Sequence, residues 1–344
     1  IRNRGLRDAT SVFFGGGTPS LFPAHSLVSI LDAIPRVPGA EVTVECNPDS
    51  VDAAKLAEYR AGGVNRLSFG VQSMRAHVLA ALGRTHVPAN VERAVGYARD
   101  AGIERINVDL IYGTPGERIA DWEATLDAAL ALGPTHVSAY ALTVEPGTPL
   151  GKLVAAGARP APDDDDQAEK YELADDRLRA AGMRWYEVSN WARPGDECRH
   201  NLLYWRQGEY TGIGCAAHGH TAGRRWWNVR TPERYVAALA VGESPEAGAE
   251  VLEPADRADE ALLLELRTRA GIKLLPPMAD PTSVASCVDD LVGAGVLDRQ
   301  GDRLVLTRPG RLLANDVVAR LLAAADRDRA DRDRAPAHVP AGTR

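Results

Sequence analysis

A glycine-rich segment is the pattern in this chain best suited to bind a ligand: Gly15, Gly16 and Gly17 directly follow an apolar run and precede Thr18. Three glycines at the end of a predicted strand leave bare backbone, against which a ligand can lie. A flexible connection between a strand and a helix is the alternative, because glycine is common in loops. The pattern predicts a ligand-contacting loop at residues 15–20. The residues that follow the neighbouring predicted strands decide between the two interpretations.

Charged and amide side chains follow other predicted strands. Glu45 offers a carboxylate for an ammonium group, and Arg84 offers a guanidinium for a carboxylate. Gln72 and Asp109 offer the amide and the carboxylate that hold ribose hydroxyls. Taken singly, each is compatible with an ordinary surface or strand-end residue. Their joint occurrence beside the triple glycine predicts a site for an amino acid joined to a nucleoside.

Six short apolar runs alternate with amphipathic stretches and are predicted to form strands. They lie at residues 11–14, 41–45, 66–70, 105–110, 136–140 and 184–188. Because parallel neighbours need crossover connections, this rhythm predicts an α/β fold with a parallel sheet. Polar residues or glycine follow almost every run, which places the chemistry at the carboxyl ends of the strands.

The rhythm changes beyond residue 225. Helices are predicted at residues 259–269, 283–293 and 308–324, with a hairpin at residues 297–306. Helix, helix and hairpin is the order of a winged-helix-like module. In such a module the hairpin is called the wing. The charges on this hairpin nearly cancel, which favours a role in packing or in covering a substrate over DNA binding. These charges belong to Asp298, Arg299, Asp302 and Arg303.

Three segments are therefore predicted: an α/β domain at residues 1–225, a winged-helix-like domain at 226–325 and a disordered tail at 326–344. The tail repeats Asp-Arg and ends in a stretch rich in Pro and Ala, a composition that buries too little apolar surface to fold. The acidic run at residues 163–166 precedes a predicted helix and favours its positive end, which indicates a cap and not a metal site.

Charge and cysteine content exclude several classes of protein. The 344 residues carry a net charge of −7, which gives no general attraction to nucleic acid or anionic lipid. No apolar stretch approaches the roughly 20 residues of a membrane-spanning helix. The four cysteines, Cys46, Cys198, Cys215 and Cys287, are too few and too far apart for a disulfide framework, which predicts a reducing cytoplasm.

Six segments together carry a family resemblance. They are GGGTPS at residues 15–20, ECNPD at 45–49, GVNRLSFGVQS at 63–73, LGRTH at 82–86, NVDLIYG at 107–113 and LTVEPGT at 142–148. They resemble radical S-adenosylmethionine proteins, in the branch that contains the oxygen-independent coproporphyrinogen III oxidases and the heme chaperones of the HemW family. The resemblance covers almost the whole chain, including the C-terminal module.

The resemblance implies a partial (β/α)6 radical S-adenosylmethionine barrel followed by a small winged-helix-like domain. It also implies S-adenosylmethionine as a cofactor, with the glycine run against the amino group of its methionine part. The positions that contact the cofactor would be Gly15, Gly16, Gly17, Thr18, Glu45, Gln72, Arg84 and Asp109.

Residues 185–227 separate the two relatives, and they hold five of the six tryptophans. His200, Asn201, Tyr204 and Trp205 match an HNxxYW motif that is associated with the heme chaperones and is not typical of the oxidases. A porphyrin needs flat aromatic walls and an axial nitrogen or sulfur, which His200 with Tyr204 and Trp205 would supply. The alternative is that these aromatic residues close one end of the barrel, with His200 hydrogen-bonded in that core.

The resemblance favours a chaperone that binds heme and transfers it to an acceptor protein. The alternative is an enzyme, an oxygen-independent coproporphyrinogen III oxidase that abstracts a hydrogen atom from each propionate side chain during decarboxylation. A zinc site drawn from Cys198, His200, Cys215, His218 and His220 is a weaker reading, since Cys-x-His is tighter than the usual ligand spacing. A DNA-binding regulator is weaker still, because the chain has no basic stripe.

One departure from the family pattern concerns the metal cluster. Radical S-adenosylmethionine chemistry uses a 4Fe-4S cluster held by a CxxxCxxC motif, and no two cysteines of this chain are close enough to form it. In the family the motif lies upstream of the triple glycine, and this chain begins with Ile1. We expect the sequence to be truncated at its N-terminus, with a natural variant that has lost the cluster as the alternative. The cluster would then belong to the full-length protein only, and these 344 residues would not cleave S-adenosylmethionine.

Overall fold

The computed structural model describes residues 6–273 and 283–334, which divide into two compact units. The first unit is Ile1–Leu202 and the second is Leu203–Arg344, so the division lies earlier in the chain than the predicted boundary at residue 225. Within the described ranges, no helix is long and apolar enough to cross a membrane.

The first unit is built on a seven-stranded sheet. Its strands in chain order are β1 (Ala9–Phe14), β2 (Arg36–Cys46), β3 (Arg66–Gln72), β4 (Arg105–Tyr112), β5 (His136–Ala141), β6 (Arg184–Glu187) and β7 (Asn190–Ala192). Their order in the sheet is β1-β2-β3-β4-β5-β7-β6, and β1 to β5 run parallel. All six predicted strands are present, and the α/β fold with a curled half-barrel sheet is confirmed.

The seventh strand corrects the expectation of an all-parallel sheet. β7 is antiparallel to both β5 and β6. Only Val188 and Ser189 separate β6 from β7, and a two-residue connection permits only an antiparallel hairpin. β7 has three residues, too few to produce a recognisable hydrophobic period.

Helices of the first unit connect the strands. They are α1 (Ala24–Asp32), α2 (Ala53–Ala61), α3 (Ala76–Ala81), α4 (Pro88–Asp100), α5 (Ile119–Ala131), α6 (Pro149–Ala155), α7 (Asp164–Ala180) and α8 (Arg199–Trp205), the last of which crosses into the second unit. The Asp163 side chain accepts the backbone N–H of Asp166 at 2.9 Å, which confirms the predicted cap at the start of α7.

Alternation along the strands separates an apolar face from a polar face. On β2, Val42 and Val44 belong to the hydrophobic core, and Thr43 between them points to the opposite face. Side chains of the polar face bond to one another across neighbouring strands, as when Asn107 of β4 donates to Ser138 of β5 at 3.0 Å. The helices cover the apolar face, and the candidate site residues occupy the polar face and the carboxyl ends of the strands.

The second unit contains two small antiparallel sheets. The first consists of β8 (His218–Thr221), β9 (Arg224–Asn228) and β10 (Glu246–Val251), in the order β10-β9-β8, with α9 (Pro232–Ala240) between β9 and β10. Sequence patterning does not predict this sheet, because its strands carry glycine, alanine, histidine, charged residues and two adjacent tryptophans in place of an alternating apolar set.

The remainder of the second unit follows the predicted order of helix, helix and hairpin. It contains α10 (Pro254–Glu265), β11 (Ile272–Lys273), α11 (Ser283–Gly293), β12 (Leu297–Gln300), β13 (Arg303–Leu306), α12 (Arg308–Leu312) and α13 (Ala314–Arg334). β13 lies between β11 and β12 in the second sheet.

The last helix differs from the sequence expectation, because α13 continues to Arg334 and the disordered tail was predicted from residue 326. The Arg329 guanidinium pairs with Asp259 of α10 at 2.9 Å and with Asp326, one turn earlier, at 2.6 Å. Ion pairs at i, i+3 favour a helix in a composition too polar to form a core. The rest of the predicted tail, residues 335–344, lies outside the described residues.

Candidate functional site

The glycine loop after β1 exposes its backbone. A Cβ at Gly15 would lie 2.6 Å from a ring carbon of Phe13 and 3.2 Å from Glu45 Oε2, so a larger residue would collide there. Gly16 and Gly17 have φ of +83° and +62°, the left-handed region that disfavours other residues, and open space surrounds both. Thr18 follows directly and is half-buried. The loop is thus shaped for backbone contact with a ligand.

Glu45 closes one side of this loop. Its Oε2 accepts the backbone N–H of Gly16 at 3.1 Å. Burial raises the pKa of Glu45, and the charge of Asp109 raises it further, while the Gly16 N–H opposes the shift. A cationic ligand would relieve the unfavourable charge on Glu45. The site is electrostatically suited to an ammonium or sulfonium group.

Asp109 is held in a network of hydroxyl and amide groups on the polar face. Its carboxylate accepts hydrogen bonds from Ser68 Oγ at 2.9 Å and from Asn107 Nδ2 at 2.8 Å. Burial raises the pKa of Asp109, and hydrogen bonds from Ser68, Ser138 and Asn107 partly offset that rise. The carboxylate is therefore fixed in orientation and available to accept a ligand hydroxyl at its remaining lone pairs.

Gln72 ends β3 in an unusual conformation. Its φ is +64°, in the left-handed region that non-glycine residues seldom occupy, and the register with β4 slips between Gly70 and Gln72. Gln72 is only 9% exposed, and its Nε2 lies 3.1 Å from where a Cβ on Gly70 would be. Backbone strain of this kind concentrates at functional sites. The bulge turns the amide back over Gly70 at the carboxyl end of the strand.

Arg84 has no hydrogen bond or ion pair with the other three residues. It is exposed, and it forms no hydrogen bond through its side chain and no ion pair with any residue in the described ranges. His86 anchors the segment, because its Nε2–H donates to the backbone carbonyl of Val71 at 2.9 Å. The structure thus brings Glu45, Gln72 and Asp109 onto three adjacent strands, with Asp109 three residues before the end of β4. The chain beside Arg84 is fixed through His86.

The cysteines do not fit a 4Fe-4S cluster. Cys46, Cys198 and Cys287 are buried, Cys215 is exposed, and burial raises the pKa of Cys46 to about 12. Within residues 6–273 and 283–334, no three His, Cys, Asp or Glu side chains are grouped to hold a metal ion. The Cys198 thiol donates to Glu41 Oε1 at 3.5 Å, so it is engaged in a protein contact.

Glu41 binds the start of α8, a role that the sequence did not reveal. Its carboxylate accepts the backbone N–H groups of Arg199 at 3.2 Å and His200 at 3.1 Å, and Arg105 pairs with it at 2.9 Å. Burial raises the pKa of Glu41, but the charge of Arg66, these two N–H groups and Arg105 leave it lowered overall. The sequence signal that could have revealed this role is a charged residue, Glu41, within an otherwise apolar strand.

The first half of the HNxxYW motif contacts the sheet of the first unit. The His200 ring stacks on Phe13 with centroids 5.1 Å apart, and its Nδ1 lies 3.0 Å from Ser11 Oγ. Asn201 Nδ2 donates to Glu187 Oε1 at 2.8 Å. These contacts give His200 and Asn201 a role in packing. Such a role is compatible with the alternative in which this segment closes one end of the barrel.

The second half of the motif belongs to the second unit. Tyr204 is 41% exposed and meets Tyr210 edge to face, with ring centroids 4.6 Å apart. Trp205 Nε1 is buried and has no hydrogen-bond partner among the described residues. Both aromatic rings remain candidates for contact with a planar ligand.

Two histidines, His136 buried and His200 half-buried, predict a pH dependence of stability. Burial lowers the pKa of His136 well below 6.5 and also lowers that of His200, with Glu41 opposing the latter shift. A depressed pKa gives stability that is present above pH 6.5 and lost as the pH falls toward the folded-state pKa. Each histidine contributes up to about 1.4 kcal/mol per pH unit.

We expect the free energy of unfolding to fall between pH 7.5 and 5.5 in urea titrations. Carboxylates also titrate toward acid, so the comparison is between wild type and His200→Phe, which keeps a ring against Phe13. The variant should show a shallower pH slope. Equal slopes would contradict a role for His200 in this dependence.

Comparison with known proteins places this geometry in context. The family model described as the radical SAM superfamily matches residues 2–129. A heme chaperone HemW from Mycobacterium tuberculosis is 47% identical over 316 residues, covering 91% of this chain and 80% of the relative. A heme chaperone HemW from Bacillus subtilis is 34% identical over 333 residues, covering 94% and 88%.

One solved structure shares the fold over most of both chains. The coproporphyrinogen III oxidase HemN from Escherichia coli has a TM-score of 0.78, covering 92% of this chain and 78% of the oxidase. Its sequence is 20% identical, so this likeness supports the fold alone.

Proposed function

The chain belongs to the heme chaperone HemW family within the radical SAM superfamily, and on that basis we propose that it binds S-adenosylmethionine and heme and transfers heme to an acceptor protein. The superfamily implies S-adenosylmethionine and a 4Fe-4S cluster, which supplies the electron for cofactor cleavage when bound. The CxxxCxxC motif does not occur in these residues, so the proposal concerns binding.

The observation that carries the cofactor proposal is the pair of carboxylates at the glycine loop. Glu45 and Asp109 both have a raised pKa, and S-adenosylmethionine carries two positive centres that would relieve this unfavourable charge. In this proposal Glu45 accepts the ammonium group beside Gly16, and Asp109 with Gln72 holds the ribose. Arg84 then pairs with the carboxylate of the methionine part.

The heme proposal rests on the family and on the aromatic residues of the motif. The relatives named above are heme chaperones, and Tyr204 and Trp205 offer aromatic surface of the kind that a porphyrin needs. His200 is the iron ligand proposed from the motif. Its contacts with Phe13 and Ser11 also explain its presence without heme, so the two roles require separate measurements.

A hemin titration followed by the Soret absorption band tests the proposal. We expect saturable binding by the 344-residue chain and loss of the ligated spectrum in His200→Ala and His200→Phe. Since phenylalanine retains the ring, an unchanged spectrum and affinity in His200→Phe would assign His200 to packing alone. Absence of saturable hemin binding by the wild type would overturn the heme proposal itself.

Heme transfer and the alternative oxidase activity are tested by two separate assays. Heme-loaded chain mixed with an apo-heme protein should pass its heme on, seen as the acceptor's own spectrum. Full-length protein incubated with coproporphyrinogen and a reductant should yield no protoporphyrinogen. Formation of that product would favour the oxidase and contradict the chaperone.

A further inference from the structure

A rigid loop precedes β8 in the second unit, and hydrogen bonds hold it from both sides. The backbone N–H of Gly214 donates to Tyr235 Oη at 3.1 Å, and Asn228 Nδ2 donates to the Gly214 carbonyl at 2.8 Å. The N–H of Ala216 donates to the Val229 carbonyl at 2.9 Å. Ala216 has a φ of +56°, a strained value for a residue with a side chain. Such strain is retained where the surroundings impose a conformation, and it is common at ligand sites.

The loop presents a histidine that the proposed functions do not use. His218 is exposed, and its side chain has no hydrogen bond or ion pair within residues 6–273 and 283–334. It pairs with Trp227 across β8 and β9, with ring centroids 6.1 Å apart and planes inclined by 33°. The indole therefore supports one side of the imidazole and leaves the ring accessible to solvent.

A groove of about 500 Å³ lies on Trp227 and the residues that follow β9. Its lining includes Arg230 and Arg234, both exposed and both without an ion pair among the described residues. The one acidic residue of the lining, Glu246, is already paired with Arg224. The groove thus carries net positive charge beside an indole ring.

We propose that this loop and groove form a heme-binding site, in which the His218 imidazole coordinates the iron and Arg230 and Arg234 pair with the propionates. The inference rests on the proposed heme binding and adds a second heme site, built from residues of the second unit alone. A neutral imidazole is the commonest nitrogen ligand of heme iron, and guanidinium groups recognise carboxylates through paired hydrogen bonds. The groove volume is in the range of small-molecule sites.

The geometry of the two rings fits this assignment. The Trp227 indole lies beside the His218 imidazole with the ring planes inclined by 33°, so one edge of the imidazole stays open to a ligand. Trp227 would then orient the ligand, as neighbouring groups do for metal-bound histidines. An open groove also suits a carrier that must release its cargo.

Titration of the 344-residue chain with hemin and with metal-free protoporphyrin IX separates the parts of this site. We expect His218→Ala to weaken hemin binding at this second site at least about tenfold, with loss of that site's part of the ligated Soret spectrum, and to leave protoporphyrin IX binding unchanged. The double substitution Arg230→Ala/Arg234→Ala should weaken both porphyrins, by about fivefold. The matched control is His25→Ala, which removes an exposed histidine of the first unit.

Three other results would contradict parts of this proposal. Unchanged hemin spectrum and affinity in His218→Ala would overturn the assignment of the iron ligand. If Cys215→Ala removes the spectrum and His218→Ala does not, the same loop binds iron through its exposed thiol and His218 is excluded. Failure of wild-type protein to bind hemin at all would instead defeat the underlying proposal of heme binding.

Discussion

Replacing Lys170 with methionine should lower the free energy of unfolding by about 3–5 kcal/mol, because it leaves a buried carboxylate without its cation. Lys170 is fully buried in α7, and its Nζ donates to the Glu117 carbonyl at 2.9 Å and to Asp166 at 2.5 Å. The Glu117 carboxylate lies 3.6 Å from Nζ. Burial already raises the pKa of Glu117, and the Lys170 charge opposes that rise.

The same contacts hold the loop that follows β4. Glu117 Oε2 accepts the backbone N–H groups of Gly113 at 2.7 Å and Thr114 at 3.3 Å. Gln167, one turn before Lys170, packs against Gly113 and donates to the Leu142 carbonyl at 3.0 Å. The first turns of α7 thus fix the segments after both β4 and β5. We therefore expect the loss of Lys170 to weaken S-adenosylmethionine binding as well as the fold.

Urea denaturation of three variants tests this role. Lys170→Met should be strongly destabilised, and the double variant Lys170→Met/Glu117→Gln should recover part of the loss because no charge then remains buried. Lys152→Met, on the exposed surface of α6, is the control and should change stability by less than about 0.5 kcal/mol. Equal stability of Lys170→Met and the control would show that the buried pair contributes nothing measurable.

The sheet was predictable from sequence wherever strands were long and helices separated them. β2 to β5 carry apolar residues on the face that the helices cover, so their runs are recognisable. The hairpin of β6 and β7 depends on a two-residue turn, and the sheet of β8 to β10 on pairing between distant segments. Neither the hairpin nor this second sheet produces an alternation of apolar and polar residues that could be recognised within one strand.

Candidate site residues could be predicted where charged or amide side chains follow a predicted strand. Features that depend on contacts between distant segments could not. Glu45 lies next to the end of β2, as expected, and accepts the Gly16 N–H of the glycine loop, whereas Asp109 lies inside β4, three residues before its end. The left-handed backbone of Gln72 and the role of Glu41 at α8 arise from neighbouring strands, which composition does not encode. A polar residue recurring at every second position of a buried strand was the signal available for the polar face.

Glu45→Gln should weaken S-adenosylmethionine binding by about 10- to 100-fold, the cost of losing a hydrogen bond to a charged group. Glutamine retains an oxygen that can accept the Gly16 N–H, so the loop should keep its shape. Only the charge that attracts the ammonium group is removed. Ligand-observed NMR titration of the 344-residue chain gives the two dissociation constants.

The pH dependence of binding supplies a second, independent readout. Because the pKa of Glu45 is raised above 4.5, its carboxylate gains a proton at a higher pH than an exposed glutamate does. Affinity of the wild type should therefore decline as the pH falls through the raised pKa, and the variant should lack the part of that decline due to Glu45. Glu58→Gln, on the exposed side of α2, should behave as wild type.

The same substitution should stabilise the free protein, as expected for a carboxylate whose ionised form is disfavoured in the fold. A raised carboxyl pKa means that the ionised form disfavours the fold above that pKa, so removing the charge raises the melting temperature at neutral pH. Greater stability with weaker binding is the signature of a binding residue, since a purely structural carboxylate would lose stability when neutralised. A Glu45→Gln variant that melts lower and binds S-adenosylmethionine unchanged would show that the carboxylate serves the loop and not the ligand.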